Sequence, residues 1–221
     1  MVITSIALLG STCLILTILS AIIKDRHSLL GIMLSALTSA FLLVFAMIAS
    51  NLSNSLNALS LFIMIGLALY MGSRLIESSK VENTNMQNIV SGLFKILALV
   101  AFAFAIFSLN VVNIFATIGG VLISAGIGLV LLATNRNQAK SSDFITFIIF
   151  AAIGLMIGFA VGNILDSQNI ISAILLLLSS LLFLAGQISQ YLIINETSRH
   201  VATTIIMNAA MIMLVVAIFL Y

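Results

Sequence analysis

Long apolar segments make up most of this chain, and four short polar breaks between them hold its cations. The eight Lys and Arg residues lie in or beside these breaks: Lys24 and Arg26; Arg74, Lys80 and Lys95; Arg136 and Lys140; and Arg199. The remaining bends are rich in Asn and Ser and carry no Lys or Arg. This pattern is typical of a polytopic helical membrane protein whose basic loops all lie in the cytoplasm.

The composition excludes a soluble globular domain. Of the 221 residues, 62% are hydrophobic and 6% are charged, whereas a soluble domain has about 25% charged residues. The mean hydropathy of +1.33 agrees. The sequence therefore predicts an all-α fold, a helical bundle inserted in a membrane as a single transmembrane domain over residues 1–221.

The apolar segments predict about eight transmembrane helices. Each is long enough to cross a hydrocarbon core of ~30 Å, which takes ~20 helical residues. If the basic breaks are cytoplasmic, the Asn/Ser-rich bends and both termini lie on the other side. The predicted spans are about 2–23, 28–50, 57–76, 87–108, 113–134, 143–165, 169–194 and 201–220.

A loose internal similarity suggests two four-helix repeats. The segment Leu69–Ile76 in the third span resembles Phe183–Gln190 in the seventh, with Gly72 aligned to Gly186. Parallel repeats of this kind occur in membrane proteins. The alternative is that the similarity has no deeper origin, because the spans and breaks of any eight-span chain with short loops recur at regular intervals.

Small residues recur every fourth position in the fifth and sixth spans. They are Gly120, Ser124 and Gly128 in the fifth span and Gly154, Gly158 and Gly162 in the sixth. Such stripes let another helix approach closely, which is a main source of helix association in lipid. The neighbour is either another helix of this chain or a helix of another subunit.

Lys95 lies about two turns inside the fourth span. Charges within a membrane are often functional, so one interpretation is a proton or anion site. The other is that the side chain extends to the head groups and places its ammonium in the interface. Arg74 and Glu77, three residues apart, are expected to pair on one helix face at the membrane surface.

Other polar residues suggest a patch in the cytoplasmic half. Gln187, Gln190 and Tyr191 lie in the seventh span and Asn208 in the eighth. With Ser73 and Lys95 they would form a lipid or head-group pocket. The alternative is that the amides form hydrogen bonds with neighbouring helices.

The sequence offers no catalytic residues. Asp143 and Asp166 lie at opposite ends of the sixth span, and a Ser–His–Asp set is not suggested. The single cysteine, Cys13, rules out a C-x-x-C motif. No cofactor or metal ligand cluster is predicted. The dispersed cations are unlike a nucleic-acid footprint, so nucleic acid is not an expected partner.

The eight-span pattern resembles the YhhN family of lysoplasmalogenase-like membrane proteins. The local similarity lies at Gly66–Ile76 and at Leu182–Ser189 leading into Arg199. The resemblance implies a lipid-handling bundle in which aspartates of the third and seventh spans serve vinyl-ether hydrolysis. Here those positions are Ser73 and Gln187, and no catalytic residue is carried over.

These observations favour a non-catalytic multi-pass membrane protein, a structural or accessory subunit of a larger membrane assembly. Its expected partners are membrane lipids and other membrane subunits or copies of itself. The alternatives are a YhhN-like lipid-handling protein or hydrolase, and a small-solute transporter.

Overall fold

A computed structural model describes residues 58–78, 84–108, 113–134, 143–166 and 169–220. Within these ranges all regular structure is α-helical, which confirms the predicted fold class for the described part of the chain. The helices are α1 (Ala58–Ser78), α2 (Thr84–Phe107), α3 (Ile114–Thr134), α4 (Asp143–Asp166), α5 (Ile170–Leu192) and α6 (Glu196–Phe219).

Four of the described helices, α2 to α5, are long and apolar enough to cross a membrane. This is the pattern of an integral membrane protein. The predicted count of eight spans is not supported, because the apolar stretches of α1 and α6 are shorter, Leu61–Arg74 and Val201–Ala217. The predicted spans 2–23 and 28–50 lie outside the described residues.

Asparagines in the bends cap the helices that follow them. The Oδ1 of Asn113 accepts a hydrogen bond from the Ala116 amide (3.1 Å), and the Oδ1 of Asn195 accepts one from the Ser198 amide (3.2 Å). Asn169 caps α5 in the same way. Asn is a favoured cap because its side chain satisfies one of the four amides left unpaired at a helix start. The Asn-rich bends of the sequence thus fix where three helices begin.

The helices pack as three consecutive pairs around α4. The pairs are α1 with α2, α3 with α4, and α5 with α6, and α4 also packs against α2 and α5. Phe150, Ile153, Met156 and Ala160 of α4 are completely buried. The core therefore centres on α4.

Serine hydroxyls hold neighbouring helices together inside the bundle. Ser124 of α3 donates to the Phe150 carbonyl of α4 (2.6 Å). Ser172 and Ser179 of α5 donate to carbonyls of α6, at 2.6 and 2.9 Å. Hydroxyls that bond across a helix interface are common in membrane bundles because few other partners exist there.

The two glycines aligned in the suggested repeat lie in similar surroundings. A Cβ added at Gly72 would lie 2.9 Å from the Phe94 ring of α2, and one at Gly186 would lie 3.0 Å from the Met207 sulfur of α6. Each glycine therefore allows close packing against the next helix along the chain.

Candidate functional site

Arg74, Glu77 and Lys95 form a charged cluster between α1 and α2. The ammonium of Lys95 donates to Oε1 of Glu77, and the Arg74 guanidinium lies 3.7 Å from the other carboxylate oxygen. The predicted pairing of Arg74 with Glu77 is thus present. Lys95 joins it as a third member that the sequence did not reveal.

The cluster lies on the inward faces of its helices. On α1, Tyr70 and Ser73 are buried, and Arg74 and Glu77 each follow one of them by four residues. On α2, Ser91 and Ala98 are buried and Lys95 lies between them at helical spacing. Residues three or four apart share a helix face, so all three charges face the bundle interior.

Hydroxyl and amide groups surround the charges. Ser91 donates to Glu77 Oε1 (2.9 Å) and lies 3.2 Å from the Ser73 hydroxyl. Arg74 donates to the Thr204 hydroxyl of α6 (3.0 Å). The Gln87 amide donates to the carbonyl of Ile76 at the end of α1 (2.6 Å). The cluster therefore connects α1, α2 and α6.

The Lys95 side chain extends to Glu77 near the end of α1, where its ammonium bonds to the carboxylate, and it is 17% exposed. The two interpretations of Lys95, a proton or anion site and an extension to the head groups, stay predictions. The spacing of Glu77 from Tyr70, which is seven residues or two helical turns, was the signal for its position on the inward face.

The other predicted polar residues lie in α5 and α6, and the pocket they were expected to form stays a prediction. The Tyr191 hydroxyl lies 3.0 Å from Thr146 of α4. Gln187 and Asn208 are buried, at 4% and 6% exposure, and Gln190 is half-buried. Ser73 and Lys95 belong to the charged cluster, whereas Tyr191 lies in the α4–α5 contact.

The two stripes of small residues face each other across the α3–α4 contact. A Cβ added at Gly120 would lie 2.5 Å from the Gly154 carbonyl oxygen, and one at Gly158 would lie 2.5 Å from the Thr117 Cα. Gly162 is close to Asn113. Gly128 lies against the Phe150 ring, next to the Ser124 hydrogen bond. The neighbour of each stripe is therefore within this chain.

Sequence reasoning missed a second pair of glycines on α3, Gly119 and Gly126. A Cβ added at either would meet nothing within 4 Å. They lie on the side of α3 opposite the buried residues Gly120, Ser124 and Gly128. This open side is an outward-facing notch in the surface of the bundle.

In the described ranges, no three His, Cys, Asp or Glu side chains are grouped in a way that could hold a metal ion. The charged cluster consists of two cations that share one carboxylate, with the hydroxyls of Ser91 and Thr204 bonded to its members. Comparisons of the chain with protein-family models, with curated proteins and with solved structures found no match.

Proposed function

We propose that this protein is a non-catalytic multi-pass membrane protein, a structural or accessory subunit packed in a larger membrane assembly. In this proposal the chain forms eight spans, arranged as two four-helix repeats. Its basic loops are cytoplasmic and both termini lie on the opposite side. The distribution of Lys and Arg supports this orientation.

The outer surface of α3 is the observation that carries the proposal. This helix is buried only at Gly120, Ser124, Ala125 and Gly128. Its other side is broadly apolar and exposed, with Phe115, Ile118, Leu122, Ile123, Leu129 and Val130 between 53% and 89% accessible. An apolar side of this width suits either lipid or another membrane helix.

The glycines within this surface favour another helix. Gly119 and Gly126 are two turns apart on the apolar side, and open space lies above each. Glycine inside a helix is less favourable than alanine by ~1 kcal/mol. In lipid, surface glycines permit close helix approach, which strengthens van der Waals packing. The proposed occupant is an apolar transmembrane helix of a partner subunit.

Purification from native membrane in mild detergent tests the proposal. The wild-type protein is expected to retain a stoichiometric partner. The double variant Gly119→Leu/Gly126→Leu is expected to fold but to lose the partner, because the new side chains fill the notch without touching the rest of the bundle. Ala185→Leu places the same side chain on the exposed side of α5 and serves as the matched control.

The mass of the purified complex shows whether the partner is retained, and the thermal unfolding midpoint shows whether each variant is folded. A partner that is lost in the double variant and kept in the control supports the proposal. A wild-type protein that purifies as a monomer, or a double variant that keeps its partner, contradicts it. A homo-oligomer that the double variant dissociates identifies the partner as a second copy of this chain.

A specific observation also favours a second candidate, the YhhN-like lipid-handling protein. Glu77 supplies an inward-facing carboxylate one turn from Ser73, the position at which that family is expected to carry an acid. Its partners Ser91 and Lys95 hold the carboxylate in position between α1 and α2. Release of aldehyde from a vinyl-ether lysolipid by the wild type, abolished by Glu77→Gln, would support this candidate. Absence of aldehyde release by the wild type would reject it.

A further inference from the structure

The helix pairs α1–α2 and α5–α6 bury corresponding positions. The buried residues described in α1 are each followed, 113 residues later, by a buried residue of α5, as Ile63 is by Leu176. Exposed Ile65 is likewise followed by exposed Leu178. In α2 and α6, which both contain 24 residues, most buried positions correspond at an offset of 112 residues. The two pairs are therefore similar in their buried faces, as expected of two repeats.

In α2, one of these corresponding faces packs against α4. A Cβ added at Gly92 would lie 2.6 Å from Cγ2 of Ile145 in α4. Leu99 and Ala103 follow Gly92 by about two and three helical turns, so they lie on the same face, and both are buried. At the offset of 112 residues, this face of α2 corresponds to a face of α6.

The corresponding face of α6 consists of Thr204, Met211 and Val215. These side chains are 1%, 0% and 0% exposed, although α5 is the only described helix that packs along α6. The contact with α5 lies on another side of the helix. Thr203 and Ala210 bond to serines of α5, and each precedes a residue of this face by one position, about 100° around the axis. The contact with α5 therefore accounts for one side of α6 and not for this face.

Helix α1 has a face that corresponds to the α4-facing side of α5. Tyr191 marks this side of α5, because its hydroxyl lies 3.0 Å from Thr146 of α4. At the offset of 113 residues, the same side of α1 carries Leu67 and Arg74. Leu67 is buried, although only α2 packs along α1 within the described ranges. Arg74 donates to Thr204, so this side of α1 and the face of α6 lie next to each other.

We propose that the predicted span 28–50, which lies outside the described residues, packs between α1 and α6 as the counterpart of α4. It is similar in length to α4, which has 24 residues, and only residues 51–57 connect it to α1. Elements joined by a short connection are usually neighbours. Arg74 and Asn208 lie beside the proposed position, and each has an interaction that the described residues do not show. The inference rests on the two-repeat arrangement of the proposed function, but it needs no partner subunit.

Small residues on one helical face of this span suit the proposed contact. Gly31, Ser35, Thr38, Ala46 and Ala49 are separated by three, four or eight residues, which is close to whole helical turns. Such a stripe lets a helix approach its neighbour closely in lipid. It can therefore pack against the larger apolar side chains on the α6 face, and this complementarity favours the span over a lipid chain as the occupant.

Disulfide formation in the full-length chain, oxidised in its membrane, tests this placement. In a chain carrying Cys13→Ser, Thr204→Cys is combined with a second cysteine at each position from 28 to 38 in turn. Two cysteines join only when their Cα atoms lie within about 7 Å. The matched control is Ile205→Cys in the same scan, because Ile205 lies one residue further along α6 and is 39% exposed.

The contact between α2 and α4 sets the expected result. Thr204 corresponds to Gly92, which contacts Ile145, and Ile145 corresponds to position 32 at the offset of 113 residues. The yield with Thr204→Cys is therefore expected to be highest within one residue of position 32 and to rise again three or four residues later, at about one helical turn. Ile205→Cys is expected to lose this product.

Product of single-chain mass that forms from Thr204→Cys with helical spacing, and not from Ile205→Cys, supports the proposal. Product of twice the chain mass overturns it and identifies the occupant as a helix of a second copy. A scan without product, or equal yields from the two α6 positions, also overturns it. Should Thr204→Cys not fold, Val215→Cys on the same face, scanned against positions 39 to 49 with Val216→Cys as control, decides in the same way.

The outcome is separate from that of the accessory-subunit proposal. A chain that purifies without a partner contradicts the partner helix on α3 and leaves the disulfide result unchanged. A failed disulfide scan contradicts the placement of span 28–50 and leaves the test of the α3 surface unchanged.

Discussion

The adjacent glycines of α3 allow a sharp test of the packing described above. Gly119 lies on the open side of the helix and Gly120 lies against α4. Replacing either with alanine adds one methyl group and makes the same change in helix propensity. The two variants should nevertheless shift stability in opposite directions.

The distances at Gly120 set the expected magnitude. An added Cβ would lie 2.5 Å from the Gly154 carbonyl oxygen and 2.7 Å from the Gly158 amide nitrogen. Ordinary contact begins at 3.4 Å, so the helices must separate by about 0.9 Å. Both obstacles are backbone atoms and cannot rotate away. Overpacking of this kind costs about 1–3 kcal/mol, and the upper part of that range applies here.

The gain in helix propensity offsets only part of this loss. Alanine is favoured over glycine in a helix by ~1 kcal/mol. Gly120→Ala should therefore lower the free energy of unfolding by about 2 kcal/mol, whereas Gly119→Ala should raise it by about 1 kcal/mol. For a chain of this size these changes correspond to about 4–8 °C lower and 2–4 °C higher unfolding midpoints.

Thermal unfolding of both variants in the same detergent, followed by circular dichroism, checks this prediction. The comparison between neighbours removes effects of expression, detergent and helix propensity. If Gly120→Ala unfolds at or above the midpoint of Gly119→Ala, the close contact between α3 and α4 is not present and the packing described here is incorrect.

Three further predictions concern the hydrogen bonds, the ion pair and the topology. Ser124→Ala removes the hydrogen bond from α3 to α4 and should destabilise the bundle by ~0.6 kcal/mol. The control is Thr134→Ala, whose exposed hydroxyl bonds to carbonyls of its own helix and whose loss should change the unfolding midpoint little. Equal midpoints for the two variants would contradict this prediction. Glu77→Gln leaves Lys95 without its carboxylate and should lower the free energy of unfolding by about 1–3 kcal/mol. This is below the roughly 3–5 kcal/mol of a fully buried pair because the cluster is partly exposed. Adding Lys95→Met should restore most of the loss, and a double variant no more stable than Glu77→Gln argues against the pair. The topology is tested by single cysteines at positions 26 and 80, introduced into a chain without its natural cysteine. Both should react with a membrane-impermeant reagent from the cytoplasmic side. Reaction from opposite sides would refute the orientation.

In the described part of the chain, the sequence alone predicts where each helix lies. The predicted spans 113–134 and 143–165 correspond closely to α3 (Ile114–Thr134) and α4 (Asp143–Asp166). The physical reason is local: an apolar run of this length can satisfy its backbone in lipid only as a helix, and the Asn-rich bends supply the caps. Both signals are contained in neighbouring residues, so no knowledge of the bundle is needed.

The tertiary structure decided which faces meet. Residue spacing shows that Gly120 and Gly154 each belong to a small-residue stripe, but only the packing of α3 on α4 places the stripes against each other. Likewise, Glu77 and Lys95 are 18 residues apart, and their pairing depends on the rotation of α1 relative to α2. Side-chain direction around a helix axis is local, whereas the choice of neighbour depends on the packing of the whole bundle.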